Sequence, residues 1–160
     1  MEIQAQEKLS RAGLSPAVLA PIFEQARREY PHECCGVVLG ACGAGTAAGR
    51  VRPCVNVQDR MRAEEPGVFS RSAKDAYFID PRELLAIEKE NRAKGEEVRA
   101  IYHSHIDTTA DFSVEDRAFA VMEGEPACPG VRYLVVSVVK GEVRGFKLYH
   151  WDEGRKDFIE

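Results

Sequence analysis

The chain has 160 residues, of which 30% are charged, and this length and balance indicate a single globular domain. A net charge of −4 and a pI near 5.7 exclude a protein that holds nucleic acid or an anionic membrane through a general basic field. The N-terminus lacks the apolar stretch of a signal peptide, and no apolar run approaches the roughly 20 residues that span a bilayer.

The cysteines indicate a reducing compartment. Their number is odd and two of them are adjacent in sequence, which is a poor framework for disulfides. We therefore expect a cytoplasmic protein. The cysteines are Cys34, Cys35, Cys42, Cys54 and Cys128.

The first predicted helix follows a flexible N-terminal arm of residues 1–14. Within this arm, Leu9 and Leu14 are the apolar side chains that can pack on the domain. Ser15 is a suitable N-cap, a proline suits the first helical position, and apolar residues then recur at helical spacing as far as Arg28. We therefore expect a helix that packs one apolar face on the rest of the domain.

A β-hairpin is predicted after this helix. The run CGVVL at 35–39 is almost continuously apolar, which suits a strand buried on both faces. The glycine-rich stretch 41–49 indicates a flexible turn into a second strand near 51–57. Glu33 therefore lies at the entrance to a core strand.

A surface loop and a second helix are expected next. Residues 58–74 mix charges with proline and glycine and lack clear periodicity, so we expect a loop that contacts a partner or simply connects two elements. Asp80 is the predicted N-cap of the helix, with Glu83 completing a capping box. Lys94 and Gly95 mark its end.

A core strand and a third helix are predicted on either side of the segment that begins at His103. The run VRAIY at 98–102 reads as a strand that leads the chain directly to His103. Ser113 and Asp116 resemble a capping box, so a helix is predicted from Ser113, with an apolar stripe over residues 118–122.

The end of the chain completes the predicted fold class. Residues 132–139 and 143–149 read as a hairpin joined by a lysine–glycine turn. The order of strands and helices is typical of an α/β sandwich in which helices flank a mixed sheet. We therefore predict one α/β domain over residues 15–150, with a C-terminal tail at 151–160.

Two histidines and an aspartate have the spacing of a metal site. His103 and His105 are two residues apart, so on a strand both imidazoles face the same side. Asp116 follows eleven residues later, in the first turn of a predicted helix, and can return as an anionic ligand. Two histidines and one carboxylate leave one tetrahedral position open, which is typical of catalytic zinc.

Plainer interpretations of the same residues exist. Two histidines at a strand end can be surface or packing residues, and Ser113 and Asp116 can simply cap a helix. Their joint spacing is what favours the metal site.

The string HSHIDTTADFSVED at 103–116, together with Glu33 in YPHECCGVVLG, resembles the JAMM (MPN+) metallopeptidases, particularly the short bacterial members. The resemblance extends from about Ser15 to Tyr149 and includes Asn56 and the segment YFIDPREL at 77–84. It implies a cytidine-deaminase-like sandwich.

The resemblance also implies residue roles. The counterparts of three residues bind Zn²⁺ in that family, the counterpart of Glu33 is the general acid and base, and that of Ser113 helps to stabilise the oxyanion. The implied zinc ligands are His103, His105 and Asp116. The family cleaves peptide or isopeptide bonds after the diglycine tail of ubiquitin or ubiquitin-like proteins, and small bacterial members are linked to sulfur-carrier proteins of that fold.

Two positions depart from the pattern. Bacterial relatives usually carry proline where this chain has Ile106 and again where it has Phe112. We expect the loss of both prolines to loosen the loop between the ligands.

Three rival functions differ in the residues they require. A cysteine peptidase would use Cys34 or Cys35, although a cysteine at the start of a buried strand usually packs as a small hydrophobe. A zinc deaminase would carry an H-x-E and P-C-x-x-C signature, which this sequence lacks. A non-catalytic binding scaffold would typically lack the metal ligands.

Overall fold

The computed structural model describes Leu9, residues 14–43 and residues 49–160. These residues form four helices and eight strands. The helices are α1 Pro16–Glu29, α2 Gln58–Glu64, α3 Pro81–Lys94 and α4 Val114–Ala120. The strands are β1 Cys35–Ala41, β2 Arg50–Cys54, β3 Glu96–Ile106, β4 Val121–Met122, β5 Glu125–Pro126, β6 Arg132–Val139, β7 Glu142–Asp152 and β8 Asp157–Ile159.

The predicted mixed sheet is confirmed. Six strands form one sheet in the order β2-β1-β3-β6-β7-β8, and β4 and β5 form a small separate ribbon. Only β3 and β6 pair in parallel within the main sheet, and its other neighbours are antiparallel. A parallel pair needs a crossover connection, which here runs from the end of β3 through α4 to β6.

Helix α1 covers one face of the sheet. The Ser15 hydroxyl accepts a hydrogen bond from the Val18 amide, so this residue caps the helix as predicted. Ile22 and Ala26 are fully buried against strand residues that include Tyr102. The rest of the N-terminal arm lies outside the described residues, but Leu14 is buried in this cluster and Leu9 packs against it.

The opposite face carries two further apolar clusters. Helix α3 buries Ile87 against Val37 and Leu39 of β1, so β1 is covered on both faces as its sequence predicts. An aromatic cluster that includes Phe112 and Phe158 covers the β6–β7 end of the sheet. His103 and His105 emerge on this face, between the two clusters.

Several sequence predictions need correction. Residues 58–74, expected as a loop, begin with α2, because the Asn56 side chain accepts a hydrogen bond from the Gln58 amide. Glu83 does not complete a capping box, because its carboxylate accepts a hydrogen bond from the Val55 amide instead. Asp80 caps α3 without it.

The C-terminal half holds two more differences. Residues 151–160, expected as a tail, contain the end of β7 and all of β8, and Phe158 is buried. The predicted apolar stripe after Ser113 is not a buried face, because Phe119 and Met122 are each 67% exposed. Helix α4 therefore faces outward with apolar side chains.

No helix among the described residues is both long and apolar enough to cross a membrane.

We predict that Gly36→Ala destabilises the protein. A methyl group on Gly36 would lie 2.2 Å from the hydroxyl oxygen of Tyr102, and that hydroxyl is held by a 2.6 Å hydrogen bond to Gln25. The free energy of unfolding should fall by about 1 to 3 kcal/mol, measured by urea denaturation. Gly145→Ala is the matched control because nothing lies within 4 Å of the added methyl group. Equal stability of the two variants would contradict the packing described here.

Candidate metal centre

Strand β3 places two histidines on one face of the sheet. His103 lies opposite Cys35 of β1 and Val135 of β6, and His105 lies opposite Ser137 of β6. His103 is completely buried and His105 is 8% exposed. Their side chains share one face because they are two residues apart on a strand.

The third candidate ligand is held by the start of a helix. The Ser113 hydroxyl accepts a hydrogen bond from the Asp116 amide at 3.0 Å, and the Asp116 carboxylate accepts one from the Ser113 amide at 2.8 Å. This reciprocal capping box was predicted and is confirmed. The interaction that begins α4 therefore also fixes the carboxylate that faces the histidines.

The three side chains meet at distances that suit one metal ion. The Nε2 atoms of His103 and His105 are 3.1 Å apart, and each lies 3.2 Å from an oxygen of Asp116. Tetrahedral ligands at about 2.0 to 2.1 Å from zinc are separated by about 3.4 Å. These residues are also the candidate metal-binding group that the described part of the chain contains. The donor set therefore fits zinc.

The proton positions on the rings agree with this arrangement. His105 Nδ1 lies 3.0 Å from the carbonyl oxygen of Thr109, which can only accept, so Nδ1 carries the proton. Nε2 of His105 then faces Asp116 and His103, where it donates to Asp116 when the ring is charged and offers a lone pair when the ring is neutral. His103 Nδ1 has no hydrogen-bond partner, and the ring is instead stacked on Tyr77 with centroids 4.3 Å apart.

Burial and charge act in opposite directions on these groups. Burial lowers the pKa of His103, and Asp116 opposes the shift without reversing it. Burial also disfavours the charged form of His105, but the nearby Asp116 carboxylate outweighs it and raises the pKa of His105. Burial by itself would raise the pKa of Asp116, and hydrogen bonds from both histidines lower it well below its usual range. Asp116 is therefore an anion at neutral pH.

Glu33 lies beside this group, just before β1. Its amide donates to the Ala73 carbonyl at 2.7 Å and its carbonyl accepts from the Asn56 side chain at 2.9 Å. Glu33 is only 4% exposed. Burial raises its pKa to about 9, helped by the negative charges of Asp116 and Asp75. A cation at the ligand cluster would oppose the Asp116 charge and lower the pKa of Glu33 again.

Two cavities open beside the ligands. A polar cavity of about 300 Å³ is lined by Glu33, His105, Ser113 and Arg71 among others. An apolar cavity of about 180 Å³ lies next to it and shares Ser113 as a wall. The apolar walls include Tyr77, Phe78, Ile79, Ile101, Phe119 and Tyr133. A substrate beside the metal ligands would therefore meet one polar and one apolar surface.

The loop that lacks prolines is tied down in another way. The Phe112 amide donates to the Tyr149 hydroxyl at 3.1 Å, and that hydroxyl donates to the Ala110 carbonyl at 3.0 Å. A proline at 112 has no amide hydrogen and could not make the first bond. The Ser137 hydroxyl also holds the Thr108 carbonyl at 2.5 Å. These contacts restrain the loop that we expected to be loosened.

Sequence reasoning missed several residues of the site. Tyr77 lies in a segment quoted for the family resemblance, but its stacking on His103 follows from the folded structure alone. Thr109 contributes only a backbone carbonyl, which no side-chain pattern can reveal. Asn56 was noted on its strand without its hydrogen bonds to Glu33.

The fold and the site define a class of protein: an α/β domain in which a central strand and a helix N-terminus present a two-histidine, one-carboxylate group to a cleft. Residues 15–149 match the family described as prokaryotic homologs of the JAB domain. The chain belongs to this family. The resemblance to the short bacterial JAMM domains is thereby confirmed.

Individual relatives agree with this assignment. A desampylase from Haloferax volcanii is 31% identical over 121 residues, which are 76% of this chain and 73% of the relative. Solution structures of proteins from Desulfitobacterium hafniense and Salinibacter ruber match with TM-scores of 0.66 and 0.60 at 23% and 24% identity. Each covers 91% of this chain and 86% of the other, and they support the fold alone.

We predict that Glu33→Gln stabilises the metal-free protein at neutral pH. The pKa of Glu33 is raised from 4.5 to about 9, so its contribution to stability is complete below pH 4.5 and is lost as pH rises toward 9. Glutamine has no proton to lose. The variant should therefore gain about 3 kcal/mol in the free energy of unfolding near pH 7 and little near pH 5.

Urea denaturation of chelator-treated wild type and variant at the two pH values measures this difference. A difference that does not change with pH would contradict the raised pKa of Glu33.

Proposed function

We propose that this protein is a zinc-dependent peptidase, with His103, His105 and Asp116 as the metal ligands and Glu33 as the catalytic base. The observation that carries the proposal is the meeting of three side chains: the two Nε2 atoms lie 3.1 Å apart and each lies 3.2 Å from one of the two Asp116 oxygens, beside a cavity that Glu33 also lines. The Asp116 carboxylate faces both Nε2 atoms, and a cation bound among these side chains is attracted by all three of them.

Zinc suits this group because it accepts imidazole and carboxylate ligands in tetrahedral geometry. When bound, it supplies a Lewis acid that lowers the pKa of a coordinated water to about 7. The remaining roles belong to the side chains around the polar cavity.

Glu33 moves the proton. Its carboxylate takes a proton from the attacking water and passes it to the amine that leaves when the amide bond breaks. Its buried position suits both steps, because burial raises the pKa of Glu33 and makes its proton affinity sensitive to nearby charge. A carboxylate with an ordinary pKa would be a weaker base.

Ser113 stabilises negative charge on the substrate carbonyl. Its hydroxyl oxygen accepts from the Asp116 amide at 3.0 Å, so its hydrogen is free to donate into the cleft that both cavities share. The same residue therefore caps α4 and serves as an oxyanion donor.

We propose that the substrate is a ubiquitin-like or sulfur-carrier protein that is cut after its C-terminal Gly-Gly. The desampylase relative supports a protein substrate of this kind. The apolar cavity supports it physically, because an extended tail beside the ligands can place apolar side chains against Phe78 and Phe119. Glycines at the scissile bond need little space beside the buried histidines.

The rival cysteine mechanism finds no support at Cys34 or Cys35. Both thiols are fully buried. Burial raises the pKa of Cys34 to about 12 and shifts the pKa of Cys35 still higher, so neither is a thiolate at neutral pH. All five cysteines are free, which supports our proposal of a cytoplasmic location.

We predict one zinc ion per chain. Protein purified without added metal should contain close to equimolar zinc by atomic spectroscopy, and the double variant His103→Ala, His105→Ala should contain almost none. His32→Ala is the control, because this histidine is exposed and lies outside the ligand group. Zinc retained by the double variant would eliminate the proposed ligands.

We predict that Glu33→Gln abolishes turnover while zinc content is kept. The zinc-loaded wild type should release the extension from sulfur carriers lengthened beyond Gly-Gly, as measured by mass spectrometry. Loss of the base should slow this reaction by a factor of about 100 to 10,000. Glu24→Gln, the same change at an exposed position on α1, should leave the rate unchanged.

The outcomes separate the proposals. Carriers that bind without being cut by the zinc-loaded wild type would favour a non-catalytic scaffold. A Glu33→Gln variant with the wild-type rate would remove Glu33 from the mechanism but not the metal from the site.

A further inference from the structure

Asn56 uses its entire side-chain amide to join three segments around the site. Its nitrogen donates to the carbonyl of Glu33 at 2.9 Å and to that of Ala76 at 3.1 Å. Its oxygen accepts from the amide of Gln58 at 3.0 Å and from that of Phe78 at 3.1 Å. An asparagine side chain can donate two hydrogen bonds and accept two, so Asn56 makes every hydrogen bond that its side chain offers.

Two of these bonds bracket Tyr77. The carbonyl of Ala76 and the amide of Phe78 belong to its immediate neighbours in the chain, so Asn56 fixes the backbone from which the Tyr77 ring projects. That ring is stacked on His103, with the planes 22° apart.

The stacking matters because His103 lacks the usual support for a metal-binding histidine. A ligand histidine normally donates its second ring N–H to a carboxylate or carbonyl, which sets the orientation of the ring. His105 has such a partner in the Thr109 carbonyl, but His103 Nδ1 has none. The Tyr77 ring lies flat on the imidazole and, together with the edge of the His105 ring, orients His103.

We propose that Asn56 is a positioning residue of the metal site, which orients His103 through Tyr77 and places Glu33 through its backbone carbonyl. The role of Glu33 in this inference rests on the proposed peptidase function, whereas the action on His103 requires only that the site binds zinc. One side chain thus helps to position both the base, which precedes β1, and a metal ligand on β3.

The hydrogen-bonding pattern explains why an asparagine is needed. Aspartate has the same shape but replaces the donating NH2 group with a single oxygen, which would face the carbonyls of both Glu33 and Ala76. Alanine loses all four bonds. The backbone on either side of Tyr77 would then lose both side-chain bonds and keep the bond from the Val57 amide to the Phe78 carbonyl at 2.9 Å.

The first test measures zinc affinity by competition with a chelator and needs no substrate. Asn56→Ala and Tyr77→Leu should each weaken zinc binding by about 10- to 100-fold, the usual effect of losing a group that orients a ligand. The double variant should be little weaker than either single variant, because both act on His103 through one contact. Tyr77→Phe should bind zinc as wild type does, because the stacked ring remains.

The control separates positioning from a general loss of stability. Ile22→Val removes a buried methylene from α1, on the other face of the sheet, and should lower the free energy of unfolding by about 0.5 to 1.5 kcal/mol. It should leave zinc affinity unchanged. If Asn56→Ala lowered only the melting temperature, as this control does, the positioning role would be overturned.

One result keeps the test decisive if Asn56→Ala fails to fold. Unchanged zinc affinity in Tyr77→Leu would overturn the route from Asn56 to His103 without any Asn56 variant. Where the wild type cleaves a carrier, Asn56→Ala at saturating zinc should lower kcat by at least 10-fold with KM little changed. An unaltered kcat would overturn the action on Glu33, and an inactive wild type that still binds zinc would count against the proposed function alone.

Discussion

The parallel pairing of β3 with β6 is the constraint on which the site depends. Parallel neighbours cannot be joined by a tight turn, so the chain must leave the sheet after Ile106 and return at Arg132. Helix α4 lies in that crossover, and its capping box holds Asp116 in front of the two histidines that end β3. The connection that the sheet requires therefore also supplies the third of the proposed metal ligands.

The site carries an electrostatic cost that the rest of the fold offsets. Glu33 and Asp116 are two acidic groups in a mostly buried region, and the pKa of Glu33 rises to about 9 in response. Buried carboxyl groups of this kind are common where proton transfer is needed and disfavoured where only stability counts. The apolar clusters on both faces of the sheet hold these groups together in spite of that cost.

The support for the ligands differs from one to the next. His105 is oriented by the Thr109 carbonyl of the 107–112 loop. Hydrogen bonds from Tyr149 and Ser137 hold that loop, whereas the family pattern has prolines at its ends. His103 is oriented by an aromatic ring instead. The side chains of the proposed metal site can therefore be held by hydrogen bonds to the backbone, by stacking or by proline. This chain uses hydrogen bonds and stacking.

The sequence by itself determined the elements whose signals are local. Ser15 and the Ser113–Asp116 box are helix starts because side-chain caps act within three residues, and the spacing of His103 and His105 placed both imidazoles on one face because strand periodicity is two. The family pattern selected Glu33 as well. Tertiary structure alone decided that 58–74 begins with a helix, that 151–160 completes the sheet, and that Asn56, Tyr77 and Thr109 support the site. The contacts of Asn56 with Glu33, of Tyr77 with His103 and of Phe158 with the aromatic cluster join residues far apart in the chain. The nearer contacts, of Asn56 with Gln58 and of Thr109 with His105, depend on the backbone conformation that the fold imposes, so no local pattern marks them.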